Sequence, residues 1–188
     1  MPHTSQHKID IAEDEYIEII FTSWISEYND TVIAYLAEIY LQNEDKNKMI
    51  GSASFNLYNL SFVDDPEDII DIADSISADD YFAMDEFITH NKDDFMIGRI
   101  ALLNRFYIND EYRGKGIGTY VMERFNYYWE LNDVEYQALI ARPIAKEISN
   151  DKGEIDKLIT FYNKFEYKRI ESINSNSETV LVRNNIYI

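Results

Sequence analysis

The sequence of 188 residues has 17 lysines and arginines against 35 aspartates and glutamates, a formal net charge of −18, and it contains no cysteine. This composition excludes disulfide bonds, a cysteine nucleophile and a cysteine-based metal site, and an acidic surface disfavours nucleic acids and anionic membranes as partners. With 46% hydrophobic and 14% aromatic residues, the length fits one domain, residues 1–188, with a hydrophobic core.

The acidic residues are unevenly distributed along the chain. Residues 1–98 contain 22 acidic and 4 basic residues, whereas residues 99–188 contain 13 of each. The excess is explained by solubility alone, or by a first half that attracts a cationic partner such as an amine substrate or a basic protein. The composition does not choose between these two interpretations.

The N-terminal residues 1–8 are polar and predict a flexible tail without the apolar core of a signal peptide. The sequence has no run of 18 apolar residues, so we expect no membrane span and a cytoplasmic protein.

The first half predicts three strands. Residues 16–24 are apolar and β-branched, as in a strand. Residues 31–41 fit either a helix or a strand. We favour a strand, because a polar turn at residues 43–48 joins them to the strand-like residues 49–58, and the pair then forms a hairpin.

Two helices are predicted next. Residues 64–68 contain acids and a proline, which suit a first helical turn. Ser77 and Asp80 fit a capping box at the start of the second helix. The apolar residues at helical spacing are Ile69, Ile72, Ala73 and Ile76 in the first helix, and Tyr81, Met84, Phe87 and Ile88 in the second.

The second half predicts, in order, a central strand, a helix, a strand, a helix and a final hairpin. Their ranges are 96–108, 119–131, 135–142, 154–164, and 167–171 with 179–183. Together with the first half, this order predicts an α/β (α+β) fold with a mixed sheet.

A glycine-rich turn, Arg113-Gly-Lys-Gly-Ile-Gly118, joins the central strand to the following helix. Such a turn directs free N–H groups and the positive end of the helix dipole toward one point, which makes an anion site that suits phosphate. The glycine spacing matches neither the dinucleotide-binding fingerprint nor the Walker pattern.

Residues 108–118, Ile-Asn-Asp-Glu-Tyr-Arg-Gly-Lys-Gly-Ile-Gly, resemble the acetyl-CoA motif of the GCN5-related N-acetyltransferases, the GNAT superfamily, with Asp110 where the family often has proline. Residues 158–167 resemble the family's C-terminal signature. Glu166 replaces the usual glycine there, which predicts a less tight turn. The resemblance covers residues 97–183, about half of the chain.

The resemblance implies a GNAT-like fold, with a mixed, mostly antiparallel central sheet flanked by helices. It divides the chain into an acceptor-side half, residues 9–95, and an acetyl-CoA-binding half, residues 96–188. GNAT folds usually place two helices between the first and second strands. Here the predicted helix pair lies between the third strand and the central strand, so we expect an altered acceptor side.

The resemblance also implies a set of cofactor-binding residues. The turn and first helical residues would face the pyrophosphate, and the end of the central strand would pair with the amide-bearing pantetheine arm. Lys164 is a weaker candidate for the adenine-side phosphate. The full set is Phe106, Tyr107, Ile108, Arg113, Gly114, Lys115, Gly116, Ile117, Gly118 and Thr119.

Tyr162 matches the family tyrosine that commonly protonates the CoA thiolate, although it also fits a packing role. No general base is evident, because residues 138–142 contain no acid where many members carry a glutamate. Glu86 and His90, four residues apart on one helical face, are candidates for taking the proton, or form a solvent-facing helix end. This pair has no third ligand, so no metal is expected.

The sequence therefore predicts an acetyl-CoA-dependent N-acetyltransferase. The amine acceptor would be a cationic small molecule or a basic protein, attacking directly with Tyr162 as general acid. The alternatives are transfer of a longer acyl group, or a non-catalytic GNAT-like acidic protein that binds a basic partner or mimics nucleic acid. The oligomeric state, including a homodimer, is left open.

Overall fold

The computed structural model describes residues 11–44, 47–91, 98–143, 152–171 and 178–185. The predicted N-terminal tail and Met96 lie outside these ranges.

Within these ranges seven strands form one sheet, and four α-helices flank it. The strands are β1 (Tyr16–Ile25), β2 (Ile33–Gln42), β3 (Asn47–Asn59), β4 (Arg99–Ile108), β5 (Tyr136–Ile140), β6 (Lys168–Arg169) and β7 (Val180–Asn184). The helices are α1 (Asp68–Ile76), α2 (Ala78–His90), α3 (Ile117–Leu131) and α4 (Lys152–Asn163). The predicted elements and their order are therefore confirmed, with shifts of a few residues at their ends.

The sheet is mixed and mostly antiparallel, as predicted. The strand order is β1-β2-β3-β4-β5-β7-β6, and the pair β4–β5 is parallel. The ambiguous second segment is a strand, because it pairs along its whole length with both β1 and β3. Hydrogen bonding to a neighbouring strand on both sides outweighs the weak preference of these residues for a helix.

The parallel contact between β4 and β5 is short. It runs from the pair Ile100–Tyr136 to the pair Leu103–Leu139, and β4 then continues to Ile108 without pairing to β5. Next to this point the ladder between β3 and β4 shifts register, which leaves Asn104 without a Cα partner on β3. Such a β-bulge bends its strand, so β4 turns away from β5 beyond Leu103.

The two faces of the sheet are covered by different helices. The face that includes Leu103 and Leu139 packs against α3 and α4, and the face that includes Leu102 and Ala138 packs against α1 and α2. The helix pair between β3 and β4 thus has its own hydrophobic cluster, and its predicted place in the chain order is confirmed.

Helix α3 forms the larger hydrophobic cluster because its apolar residues recur at helical spacing. Phe125 and Trp129 are completely buried and pack edge-to-face on Phe55, with ring centroids 5.1 Å apart in both pairs. Aromatic pairs in this geometry add stability beyond the area that they bury. They fix α3, and with it the glycine turn at its start, against the sheet.

The turn after α4 differs from the expectation. Glu166 adopts a left-handed backbone, with φ of 68°, and its N–H donates to the carbonyl of Asn163 at 3.2 Å. The expected looser turn is therefore wrong. Glu166 adopts the left-handed backbone that a glycine would adopt in such a tight turn. For a residue with a side chain this conformation costs about 1–2 kcal/mol of backbone strain.

None of the helices in the described ranges is both long enough and apolar enough to cross a lipid bilayer.

Candidate active site

The glycine turn begins α3 at the divergent end of β4. Gly114 and Gly116 both have left-handed backbones, with φ of 75° and 79°, and Gly116 is the N-cap residue of α3. The first intrahelical hydrogen bond runs from the N–H of Tyr120 to the carbonyl of Gly116, at 3.1 Å. The N–H groups that precede Tyr120 in this first turn lack intrahelical acceptors, which makes the helix end suitable for an anion.

Arg113 is held beside this turn by its own strand. Its Nε donates to the carbonyl of Ile108 at 2.8 Å, and its Nη1 lies 2.8 Å from a carboxylate oxygen of Asp110. Its guanidinium also lies over the ring of Tyr107, 5.0 Å from the centroid. These contacts hold the guanidinium beside the glycine turn, where Arg113 lines the larger cavity described below.

A cavity of about 990 Å³ occupies the space where β4 and β5 diverge. Its walls are the end of β4, the glycine turn, the end of β5 with Pro143, and one side of α4. Because Phe106 packs on Phe125 and on Phe161, with centroid distances of 5.8 Å and 6.4 Å, β4 and the two helices form one continuous aromatic wall. The cleft therefore has an apolar side and a side of exposed backbone.

Tyr162 lines this cavity from α4 and is only 7% exposed. Its ring packs on those of Phe161 and Tyr167, with centroids 5.1 Å and 5.7 Å apart. Burial raises the pKa of the Tyr162 hydroxyl above its usual value. The phenol therefore keeps its proton at neutral pH and well above it.

A second, smaller cavity of about 210 Å³ adjoins the first on the side of α2. The two cavities share lining residues of β4 and β5, including Asn104. Asp79 of α2 lines the second cavity but not the first. Arg142 spans its mouth, with bonds of 2.9 Å and 3.1 Å to Asp79 and a further bond to Glu178. The cleft thus reaches from the α3 face of the sheet to the α2 face.

These features together define the fold. A strand leaves its parallel neighbour, and the glycine turn that follows it begins a helix beside the resulting cleft. The chain has a GNAT-like fold.

Solved structures with this architecture resemble the chain at low identity. Drosophila melanogaster polyamine N-acetyltransferase has a TM-score of 0.48 and 8% identity, over 80% of this chain and 74% of that chain. The mosquito arylalkylamine N-acetyltransferase-like 5b gives 0.48 and 9%, over 82% and 74%. Arabidopsis thaliana NAA60 in complex with acetyl-CoA gives 0.43 and 12%, over 81% and 76%. No family model and no curated protein matches the sequence.

The GNAT-like cleft brings together most of the residues predicted to bind the cofactor. The lining includes Phe106, Tyr107, Ile108, Arg113, Gly114, Gly116, Gly118 and Thr119. Lys115 and Ile117 belong to the same turn but do not line the cavity: the Lys115 ammonium lies over Tyr112, 5.3 Å from its centroid, and Ile117 is buried in the core. Their roles, and that of Tyr162, stay predictions.

Three further candidates lie away from the cavities. Glu86 is buried in α2, and His90 is exposed at the C-terminal end of that helix. The part of α2 that lines the second cavity is its first turn, at the opposite end of the helix. Lys164 is exposed after α4 and does not line the larger cavity. Their proposed roles as proton acceptors and as a phosphate contact stay predictions.

Sequence reasoning missed several residues that form the cleft. Asn104, Arg142, Pro143 and Glu154 all line it, yet none belongs to a recognisable motif. Only Pro143 gives a signal in the sequence, because a proline interrupts a strand ladder and the predicted strand 135–142 ends directly before it. Among the described residues, no group of three or more histidine, aspartate or glutamate side chains could hold a metal ion.

We expect three buried tyrosines to make the protein less stable in alkali. Burial raises the pKa of Tyr58, Tyr162 and Tyr167 above the usual value of about 10. Above about pH 10 these tyrosines ionise in the unfolded chain but stay protonated in the folded protein, so the free energy of unfolding should fall as pH rises. Each contributes about 1.4 kcal/mol per pH unit in this range.

Urea unfolding, followed by tryptophan fluorescence between about pH 8 and about pH 11, measures this loss. Tyr167→Phe should make the slope above about pH 10 less steep, because one of the linked protons is removed. Equal stability at the two ends of the range would show that the tyrosines ionise freely in the folded protein.

Proposed function

We propose that this protein belongs to the GNAT superfamily and is an acetyl-CoA-dependent N-acetyltransferase that acts on a primary amine. The observation that carries the proposal is the cleft between β4 and β5, which has the uncapped start of α3 at one end and the buried hydroxyl-bearing Tyr162 in its wall. Both features belong to one cavity, as transfer from a phosphate-bearing thioester requires.

The residues of the cleft fit acetyl-CoA. The three glycines that line the turn have no side chains to cover the N–H groups, and a Cβ on Gly118 would meet nothing nearer than the Phe161 ring at 3.8 Å. The backbone of residues 114–119 would hold the pyrophosphate, with Arg113 as the nearby cation. Beyond Leu103 the cleft-facing edge of β4 has no β5 partner, so the backbone of Phe106 and the N–H of Ile108 would pair with an amide-bearing arm, whereas the Ile108 carbonyl already accepts from Arg113.

The chemistry is an acyl transfer. The thioester supplies an acetyl group, the nitrogen of the amine bonds to its carbonyl carbon, and the carbon–sulfur bond breaks. Tyr162, which burial keeps protonated at neutral pH, would give its phenolic proton to the departing sulfur. The nitrogen of the new amide would release one proton to solvent, and the Tyr162 phenolate would take one up, so the protons balance. The aromatic wall of Phe106 and Phe161 would exclude water from the thioester.

The acceptor would enter from the α2 face, opposite to the glycine turn. The smaller cavity opens there, and because its Asp79 already pairs with Arg142, the attraction for a cation would come from the wider acidic surface. The first half of the chain also carries the whole excess of acidic residues, 22 against 4 basic residues in residues 1–98. A field of this sign would concentrate cations near the entrance, which suits a polyamine-like small molecule or a basic protein.

Calorimetry with acetyl-CoA on the purified protein is the first test, followed by a thiol-release assay with four amines: spermidine, agmatine, tryptamine and a lysine-rich peptide. We expect micromolar binding and turnover of at least one amine. No detectable acetyl-CoA binding would contradict the proposal.

A non-catalytic binding protein is the second candidate, and one observation favours it. The carboxylates that line the described part of the cleft all lie against cations: Asp79 against Arg142, Asp110 against Arg113, and Glu154 against Lys157. A paired carboxylate is a poor general base. Tight acetyl-CoA binding without turnover of any of the four amines would support this candidate.

A further inference from the structure

Asp80 is a carboxylate buried between α2 and the sheet, and it is only 1% exposed. Its Oδ2 accepts hydrogen bonds from the Tyr58 hydroxyl at 2.5 Å and from the Asn56 amide at 2.8 Å. Its Oδ1 accepts from the Ser77 hydroxyl at 2.5 Å and from the Asn104 amide at 2.8 Å. Four neutral donors from three separate parts of the chain compensate the cost of burying this charge.

The orientation of Asp80 is unusual for its position in the helix. It is the third residue after the N-cap Ser77, where an acidic side chain ordinarily turns back to the N-cap backbone. The Ser77 side chain does accept from the Asp80 N–H, at 3.0 Å, so the helix is capped. The Asp80 carboxylate instead reaches the sheet, and it has a role there beyond capping.

Among its partners, Asn104 is the one that belongs to the cleft. It is the bulge residue of β4, directly after the last β4–β5 pair, and it lines both cavities. Because the Asn104 Nδ2 donates to Asp80, the orientation of this amide is defined. The opposite orientation would bring the carboxamide oxygen against a carboxylate oxygen, which is repulsive.

A carboxamide fixed in this way offers its oxygen as an acceptor at the junction of the two cavities. This side chain suits a ligand that donates a hydrogen bond, such as an amine, and disfavours one that only accepts. The junction is also where a molecule that enters from the α2 face meets one held by the glycine turn.

We propose that Asn104 binds the amine of the acceptor through its carboxamide oxygen, and that Asp80 is the positioning residue that holds Asn104 in this orientation. The inference rests on the proposed function and adds to it the residue that selects a hydrogen-bond donor. Asp80 itself is not the base, because its carboxylate already accepts four hydrogen bonds and is shielded from the cavities.

Steady-state kinetics on the intact protein tests the pair, with the most active of the four amines named above. Asn104→Leu keeps the branched shape of the side chain and removes its polar group. Because it also removes one of the four donors to the buried Asp80 carboxylate, it should lower the thermal midpoint, and thermal unfolding checks that the variant is folded at the assay temperature. We expect it to raise the KM for the amine at least about tenfold, because one hydrogen bond to a charged donor is lost. The Kd for acetyl-CoA should stay within about twofold of the original value.

Asp80→Asn keeps the shape of the side chain and allows the Asn104 amide to flip, so that its oxygen and nitrogen exchange places. It should raise the KM for the amine in the same direction as Asn104→Leu. The double variant should then show the KM of Asn104→Leu alone, since Asp80 acts only through Asn104. A lower thermal midpoint is expected of Asp80→Asn in either case, because Asp80 accepts four buried hydrogen bonds, whereas a merely structural role would leave this coupling at zero.

The outcomes separate the two proposals. Normal acetyl-CoA binding and an unchanged amine KM in Asn104→Leu would overturn this inference alone. Additive effects in the double variant would overturn the positioning role of Asp80. Failure of the original protein to bind acetyl-CoA would overturn the proposed function and this inference with it.

Discussion

Gly118→Glu is expected to weaken acetyl-CoA binding by at least about 100-fold, a loss of about 2.7 kcal/mol, while the folded protein becomes no less stable. Gly118 lies in the first turn of α3 and lines the larger cavity. A Cβ there would meet only the Phe161 ring, at 3.8 Å, so the new side chain fits the protein and extends into the cleft. Its carboxylate would then repel a phosphate at the helix end.

The stability of this variant should move in the opposite direction from its affinity. Glycine costs about 0.5–1 kcal/mol in a helix relative to ordinary residues, and an acidic residue in the first turn interacts favourably with the helix dipole. Gly118 is the better position for this test than Gly116, whose left-handed backbone would add strain to any substitution.

Calorimetry and thermal unfolding measure the two effects. Tyr127→Glu is a matched control, because Tyr127 is exposed on the same helix and does not line either cavity, yet the variant gains the same charge. It should bind acetyl-CoA like the original protein. Equal affinity of Gly118→Glu and Tyr127→Glu would place the phosphate site elsewhere.

Tyr162→Phe is expected to lower kcat by at least about 100-fold, the usual contribution of a general acid, with the Kd for acetyl-CoA unchanged within about twofold. The phenylalanine ring keeps the packing on Phe161 and Tyr167, so only the proton donor is lost. Since burial raises the Tyr162 pKa, ionisation of this tyrosine should cause no fall in the kcat of the original protein below about pH 10.

Tyr167 provides the matched control for this experiment. It is also buried, and its hydroxyl donates to the side-chain oxygen of Gln137 at 2.8 Å. Tyr167→Phe should therefore cost about 1 kcal/mol of stability and leave kcat unaltered. The reverse pattern, in which Tyr162→Phe destabilises the protein and retains its kcat, would assign Tyr162 a packing role.

The parts of the fold that depend on neighbours in the sequence could be predicted. The helix start at Ser77 follows from residues that act within one turn, and it is confirmed. The helix predicted from residue 119 begins two residues earlier, at Ile117, with Gly116 as its N-cap. The strands β1 to β3 follow from their composition and from the polar turn between β2 and β3. The mixed sheet also agrees with the family resemblance of the second half.

The remaining features depend on contacts between distant parts of the chain. Asp80 was explained locally by the capping pattern, whereas its carboxylate bonds to Tyr58 and Asn104, which come from two other elements. The bulge at Asn104 is a property of the register between β3 and β4, and no residue type marks it. At Glu166 the local sequence misleads in the other direction. The family's usual glycine is absent there, yet the chain still forms the tight turn.

The short parallel contact between β4 and β5 divides the sheet into two antiparallel groups of strands. One contains β1, β2, β3 and β4, and the other contains β5, β7 and β6. In the described residues, the strand pairs from Ile100–Tyr136 to Leu103–Leu139 and the bond from the Glu135 N–H to the Arg99 carbonyl join their backbones, and the cleft begins beyond Leu103 and Leu139. A molecule bound in the cleft touches both groups, so its binding opposes their separation. At 100 times its Kd such a ligand adds about 2.7 kcal/mol to the free energy of unfolding. With acetyl-CoA as that ligand, the resistance of the protein to proteases would rise and fall with the metabolic supply of acetyl groups.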